Sequence, residues 1–268
     1  MASKVDLAVA STPGLVSILI PCCGMLEYTK LCIPSVLRHS RPPFELIFLD
    51  VGSLDGTAEF LAGLQMGLTG QGIRVHIERT PTDLGLRDAC QRAIGKTFGD
   101  FVVLLNNDCV VTPNWLNQLV GLSNFAQGIG LVGPMSNMAA PPQLVEPVAY
   151  RSSADPGLGI ADFGAPTDRD GMLDIAAVER FAASHHKELQ GNWMYAERLG
   201  GFCLLVKRAV LDKIGPAINE WSDLSLFDSD ILSSKAQQAG FSLAVCRDLF
   251  VHHFGTRTFA HASTKATE

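Results

Sequence analysis

The sequence predicts a doubly wound α/β fold, a mostly parallel sheet with helices on both faces. Three observations carry that expectation. Short apolar runs alternate with helical stretches, roughly every 25–30 residues, over residues 15–134. Charged residues make up only 18% of the chain against 47% hydrophobic, so much of it must be buried. Two of the apolar runs stop at an acid, Asp50 and Asp108, where open α/β sheets place their ligands.

The elements follow in order. Residues 15–21 are an apolar strand that ends in Pro21-Cys22-Cys23-Gly24. Residues 27–39 read as a helix, with Leu31, Val36 and Leu37 near helical spacing, and Pro42-Pro43 ends the connection. Residues 45–50 form a second buried strand, followed by the turn Val51-Gly52-Ser53-Leu54-Asp55-Gly56-Thr57 and a helix over 58–68. Residues 74–78 make a short third strand, and Asp83-Leu84-Gly85-Leu86-Arg87 leads into a helix through Ile94.

Residues 101–105 (Phe-Val-Val-Leu-Leu) are apolar without a break, as in a strand buried on both faces, and they run into Asn106-Asn107-Asp108. Thr112-Pro113 then reads as the capped start of a helix. Residues 129–133 give a fifth strand. The right-handed crossover rule brings Pro21, Asp50 and Asp108 to one edge of the sheet.

From 137 to 195 the pattern blurs, with a helix only over 173–189, which marks a functional or mobile insert. Residues 199–206 are apolar, 209–214 a short helix closed by Gly215-Pro216, and 230–239 a helix stopped by Gly240. Short strands at 243–246 and 250–251 precede His252-His253. The expected organisation is a leader (1–13), an α/β half (14–136), a second half of the same domain (137–259) and a tail (260–268).

Composition excludes several classes. The 268 residues carry a formal net charge of −6, which argues against nucleic acid as a partner. No apolar run reaches the ~20 residues of a membrane span, which still admits peripheral membrane contact. Seven cysteines, with no Cys-x-x-Cys pair, point to a reducing, cytoplasmic setting and away from zinc. Oligomeric state is left open. Gly-x-Gly-x-x-Gly and P-loop motifs are absent, which disfavours nicotinamide, flavin and P-loop chemistry.

The acids allow two readings each. Asp108 either opens a turn or binds a hard divalent cation with phosphates. Asp50 either accepts from a ribose or base or is a plain turn residue, the buried run before it favouring the first, and Asp55 reads as the cap of the next helix. Asp228-Ser229-Asp230 either caps a helix or supplies a general base. His252-His253 is either one exposed and one packed imidazole, or a source of a metal or phosphate contact. His185-His186 reads as solvated surface.

Taken together, these residues resemble the inverting family 2 glycosyltransferases of the GT-A fold. The resemblance runs from Val16 to Phe259. It rests on Val16-Ser17-Ile18-Leu19-Ile20-Pro21, on Asp50 through Thr57, on Asp83-Leu84-Gly85-Leu86 and on Leu105-Asn106-Asn107-Asp108. Gly201 through Arg208 and Val251-His252-His253-Phe254-Gly255 complete it. Cys22-Cys23-Gly24 departs from the family's Thr-Tyr-Asn and lacks its aromatic.

The resemblance implies a transferase that moves a sugar from a nucleoside-diphosphate sugar to a hydroxyl of a glycan, lipid-linked saccharide or protein. Asp50 would hold the base, with Pro21 and Cys22 lining its slot. Gly52, Asp83, Gly85, Arg87, Asn106 and Asn107 would complete the donor site. Asp108, with His253, would bind Mg²⁺ or Mn²⁺, and Asp230 or Asp228 would be the catalytic base. A sugar nucleotidyltransferase would need a Gly-rich basic loop after the first strand, which this turn is not. A non-catalytic binding member of the fold is the other alternative, and the altered turn is its support.

Overall fold

The computed structural model describes residues 12–41, 43–80, 86–126, 128–150, 173–215 and 229–255. Alternating elements build the first half: β1 (Thr12–Cys22), α1 (Leu26–His39), β2 (Phe44–Val51), α2 (Thr57–Thr69), β3 (Val75–Thr80), α3 (Leu86–Gly95) and β4 (Gly99–Leu105). The two-residue β5 (Cys109–Val110), α4 (Trp115–Phe125) and β6 (Ile129–Met135) follow. The second half holds α5 (Ile175–Leu189), β7 (Trp193–Ala196), β8 (Cys203–Lys207), α6 (Arg208–Ile214), α7 (Ser229–Gln238), β9 (Ser242–Phe250) and β10 (His252–His253).

Eight strands form one sheet in the order β3-β2-β1-β4-β8-β6-β9-β7, and β10 pairs separately with β5. β3, β2, β1 and β4 are parallel, and the chain reverses direction across the sheet between β1 and β4. Ligands of open α/β sheets bind at that switch point, outside the strand ends. β8 enters antiparallel between β4 and β6, so the strand read as fifth in sequence is not β4's neighbour. The apolar stretch 199–206 marks a strand but carries no signal of the gap it fills.

The unbroken apolar run of β4 serves two cores at once. Phe101, Val103 and Leu105 pack with α1, α2 and α4, whereas Val102 and Leu104 pack with α3, α6 and α7. β1 divides likewise, Ile18 and Ile20 facing one core and Leu19 the other. Strand side chains alternate with period two, so a sheet covered twice needs apolar residues at every position. A third cluster gathers Tyr28, Tyr150, Val178, Phe250 and Phe254 beneath α5.

One helix starts later than its sequence predicts. Thr112 does not cap α4: its hydroxyl donates to the Phe250 carbonyl at 2.5 Å, and the helix begins at Trp115. The residue is used to tie the β5 segment to the end of β9. His185 and His186 are likewise bonded rather than simply solvated, to the carbonyls of Arg247 and Asp248, and so hold α5 against β9. Among the described residues, no helix is long and apolar enough to cross a membrane.

At the end of the sheet away from the acids, Glu45 is buried and fully matched. Its carboxylate accepts from Ser17 Oγ at 2.5 Å and Phe98 N at 2.6 Å and pairs with Arg74. These bonds hold β1, β2 and the approach to β4 in register. Glu45→Gln weakens the charged bonds and leaves Arg74 without its counter-charge. It is expected to cost about 1–3 kcal/mol, read from urea unfolding, with the fold retained by circular dichroism.

Candidate functional site

The turn after β1 joins the two acid-bearing loops. Gly24 and Met25 both take left-handed backbone, with φ of 67° and 61°. Gly24 N donates to Ser53 Oγ at 2.8 Å, and Gly24 O accepts from Asn107 Nδ2 at 3.3 Å. One residue is therefore bonded to the loop after Asp50 and to the loop carrying Asp108. Asn107 also donates to Thr29 Oγ1 at 2.9 Å, which fixes it against α1.

Asp55 reinforces the joint. It caps α2 through Thr57 N (3.2 Å) and Thr57 Oγ1 (2.6 Å), as its sequence position predicts. It also accepts from Leu26 N, the first residue of α1, at 2.9 Å. Partial burial opposes its charge, but these bonds outweigh it and hold the carboxyl below its ordinary value.

Asp50 is fully buried at the end of β2, level with Cys22 of β1 and Arg79 of β3. Its Oδ1 accepts from Ser53 N at 3.1 Å. Arg79 Nε lies 3.2 Å from Oδ2, and Arg79 Nη2 donates to Ser53 O at 3.3 Å. Among the described residues no hydrogen is aimed at Oδ2, so that oxygen faces a cation yet keeps acceptor capacity. Pro21 lies level with Leu49, and Gly52, with φ of 56°, turns the chain away from Asp50.

Asp108 is held by a ribbon closed from the far end of the chain. β10 runs antiparallel to β5, with His253 opposite Cys109 and His252 opposite Val110. Phe254 N donates to Asp108 O at 3.0 Å. The Asn137 side chain acts as a short length of strand: it accepts from His253 N at 3.0 Å and donates to His253 O at 3.1 Å. His253 Nδ1 bonds Met138 O at 2.9 Å, and a carbonyl only accepts, so Nδ1 carries the hydrogen. Nε2 is thereby turned toward Asp108 Oδ1, 3.4 Å away. Phe202 stacks on the imidazole at 5.2 Å and 17°.

Burial works against a charged His253, but Asp108 and the Met138 bond outweigh it and raise its pKa above the ordinary value. A backbone carbonyl that fixes the tautomer and turns the other nitrogen toward a carboxylate is the usual outer support of a metal-binding histidine. One donor atom each from Asp108, Cys109 and His253 lie within 4.8 Å of one another, all three residues buried. The chemistry of this set, one hard oxygen, one imidazole and one sulfur, fits a divalent cation.

His252 and His253 are both buried, so the reading of one exposed imidazole is corrected. His252 Nδ1 bonds Tyr150 Oη at 2.8 Å, and burial followed by the nearby His253 lowers its pKa to about 3. It is a neutral packing residue of the third cluster. Asn106 is buried, and its backbone N–H donates to Phe202 O at 2.9 Å. Asp230 stands in the first turn of α7, largely exposed, 3.8 Å from Arg198 Nη1. Arg87 belongs to α3, and Asp83, Gly85 and Asp228 lie outside the described residues.

Arg79, Asn137 and Phe202 were not legible as site residues. For Arg79 the signal was one residue away: the third strand runs to Thr80 rather than stopping at Glu78, which brings Arg79 level with Asp50.

The switch point of the sheet is thus flanked by a buried acid on one side and an Asp–His pair on the other. The family model described as "Glycosyl transferase family 2" matches residues 17–130. Over those residues the chain is similar to the family 2 glycosyltransferases.

It is similar to Glycosyltransferase GlyG of Streptococcus pneumoniae, 24% identical over 39% of this chain and 34% of that protein. It is also similar to a PGL/p-HBAD biosynthesis glycosyltransferase of Mycobacterium bovis, 29% identical over 34% of each. The chain thus spans about a third of the length of these curated relatives.

Two solved structures share the fold. The mannosyltransferase PcManGT of Pyrobaculum calidifontis, in complex with GDP-Man and Mn²⁺, has a TM-score of 0.58 at 14% identity over 92% of this chain and 59% of that one. GalNAc-T7 with UDP, GalNAc and Mn²⁺ has a TM-score of 0.57 at 17% identity over 91% of this chain and 44% of that one.

The raised pKa of His253 gives a sign that can be tested. Its protonated form is favoured by folding, so its contribution to stability is present below the unfolded histidine pKa and lost as pH rises through the folded one. In Asp108→Asn, burial acts with less opposition. The His253 imidazole resonance is expected to titrate at lower pH than in the wild type, followed by NMR in metal-free buffer.

Proposed function

We propose that the chain is an inverting glycosyltransferase that moves a sugar from a nucleoside-diphosphate sugar to a hydroxyl acceptor. The acceptor would be a glycan, a lipid-linked saccharide or a protein. One observation carries the reading: Gly24 bonds the Asp50 loop and the Asp108 loop at the switch point of the sheet, so a base site and a cation site share one rigid floor.

Asp50 and Arg79 form an acceptor beside a donor. Asp50 Oδ2 would take an N–H of the base, and Arg79 would donate to the carbonyl next to it. Uracil, thymine and guanine each present a carbonyl adjacent to a ring N–H. Cytosine presents a bare acceptor nitrogen there, which would face the carboxylate. Pro21 and Cys22 would line the slot, with Gly52, Asp83, Gly85, Arg87, Asn106 and Asn107 on the donor side.

Asp108 and His253 would hold Mg²⁺ or Mn²⁺, which when bound supplies charge neutralisation to the departing diphosphate. Both similar structures named above contain Mn²⁺. His253 Nδ1–H stays on Met138 O throughout, so Nε2 keeps its direction. A carboxylate from Asp230 or Asp228 would remove the proton of the attacking hydroxyl. Attack from the face opposite the leaving group would invert the anomeric carbon in one displacement. Peripheral contact with a membrane and a cytoplasmic location fit a lipid-linked acceptor.

A thermal-shift screen of nucleoside-diphosphate sugars with Mn²⁺ identifies the donor. With that donor and a turnover assay, Asp230→Asn is expected to lower kcat by about 10²–10⁴-fold while leaving the thermal shift intact. If Asp230→Asn keeps full turnover and Asp228→Asn does not, the base is Asp228. Full turnover in both variants would overturn the proposed role of this pair.

A further inference from the structure

We propose that Cys109 is a third protein ligand beside Asp108 and His253, and that the site binds thiophilic divalent cations such as Zn²⁺ and Co²⁺ in preference to Mg²⁺ or Mn²⁺. This rests on reading Asp108 and His253 as a cation site and adds the ligand that sets its selectivity.

The geometry comes from the ribbon. Cys109 and His253 are opposite residues of the antiparallel β5–β10 pair, and opposite residues project to the same face. Asp108 directly precedes the strand. Donor atoms within 4.8 Å of one another leave a point no more than about 2.8 Å from each. Zinc bonds of about 2.0–2.3 Å to nitrogen, oxygen and sulfur then need shifts of well under an ångström.

Sequence spacing hides this set. The chain lacks a Cys-x-x-Cys pair, the local spacing that marks many zinc sites. The sulfur and the imidazole meet through strand pairing between residues 109 and 253 instead. A hard site for Mg²⁺ is built from oxygen, whereas sulfur and imidazole together shift preference toward the softer end of the series.

The step balances simply. The Cys109 thiol now donates to Phe202 O at 3.4 Å. On binding, the S–H bond breaks, its proton leaves to solvent, and Sγ forms a bond to the cation. Phe202 O keeps the hydrogen bond from Asn106 N at 2.9 Å, so the turn stays tied. Two protein ligands remain when Cys109 is replaced, and a hard cation completes its shell with water or diphosphate oxygens. Serine preserves the hydrogen bond to Phe202 O and nearly the volume, which makes it the conservative variant.

Co²⁺ titration of the whole chain tests the proposal through the thiolate-to-cobalt charge-transfer band in the near-ultraviolet. The wild type is expected to develop the band to one equivalent. Cys109→Ser is expected to lose it and to bind Co²⁺ at least about tenfold more weakly, while Mn²⁺ affinity changes little. Cys203→Ser and Cys32→Ser are expected to keep the band. A band that survives in Cys109→Ser, or Co²⁺ binding by the wild type without a band, overturns the role of Cys109 alone. Failure of the wild type to bind either Co²⁺ or Mn²⁺ overturns the Asp108–His253 cation site and this proposal with it.

Discussion

The site depends on a buried carboxylate being held beside an imidazole by backbone pairing. Asp108 is fully buried, and a buried charge is costly unless matched. Its match is delivered from the far end of the chain by two residues of β10 laid against two of β5. So short a ladder would not persist alone. Asn137 extends it with a side-chain amide, Thr112 ties its flank to Phe250, and Phe254 bonds the Asp108 carbonyl. Each bond uses a polar group that would otherwise be buried without a partner.

The parallel half of the sheet supplies the other requirement, which is distance control. Asp50 and Asp108 come from strands β2 and β4 on either side of β1. Their separation is fixed by strand spacing and by Gly24, which bonds both loops. A residue with a Cβ at Gly24 would strain the left-handed turn, and its Cβ would meet Asp55 Oδ2 at 3.4 Å. Asp55 then locks the starts of α1 and α2 to the same joint. The proposed nucleotide site thus rests on elements tied to one another, which is the preorganisation that binding sites need.

Much of this was legible in the sequence, for physical reasons. Uninterrupted apolar runs at β2 and β4 mark strands covered on both faces, and acids at their ends stand out because burial needs a purpose. Glu45 shows what the pattern conceals: it is buried in β2 as well, yet its carboxylate is spent on sheet register. The position of β8 between β4 and β6 was not legible, because strand order in the second half is decided by long-range pairing. Thr112 carried the local signature of a cap but is bonded to residue 250, and tertiary context won. Arg79 and Asn137 gain their roles from level and reach, which no local pattern encodes.

Electron paramagnetic resonance of Mn²⁺ added to the protein with UDP or GDP tests the central claim most directly, because it counts the free ion without requiring turnover. The account predicts that the free Mn²⁺ signal falls to one equivalent bound in the wild type, that Asp108→Asn restores it, and that His253→Ala weakens binding. A signal reduced equally in the wild type and Asp108→Asn would place the ion elsewhere and contradict the account.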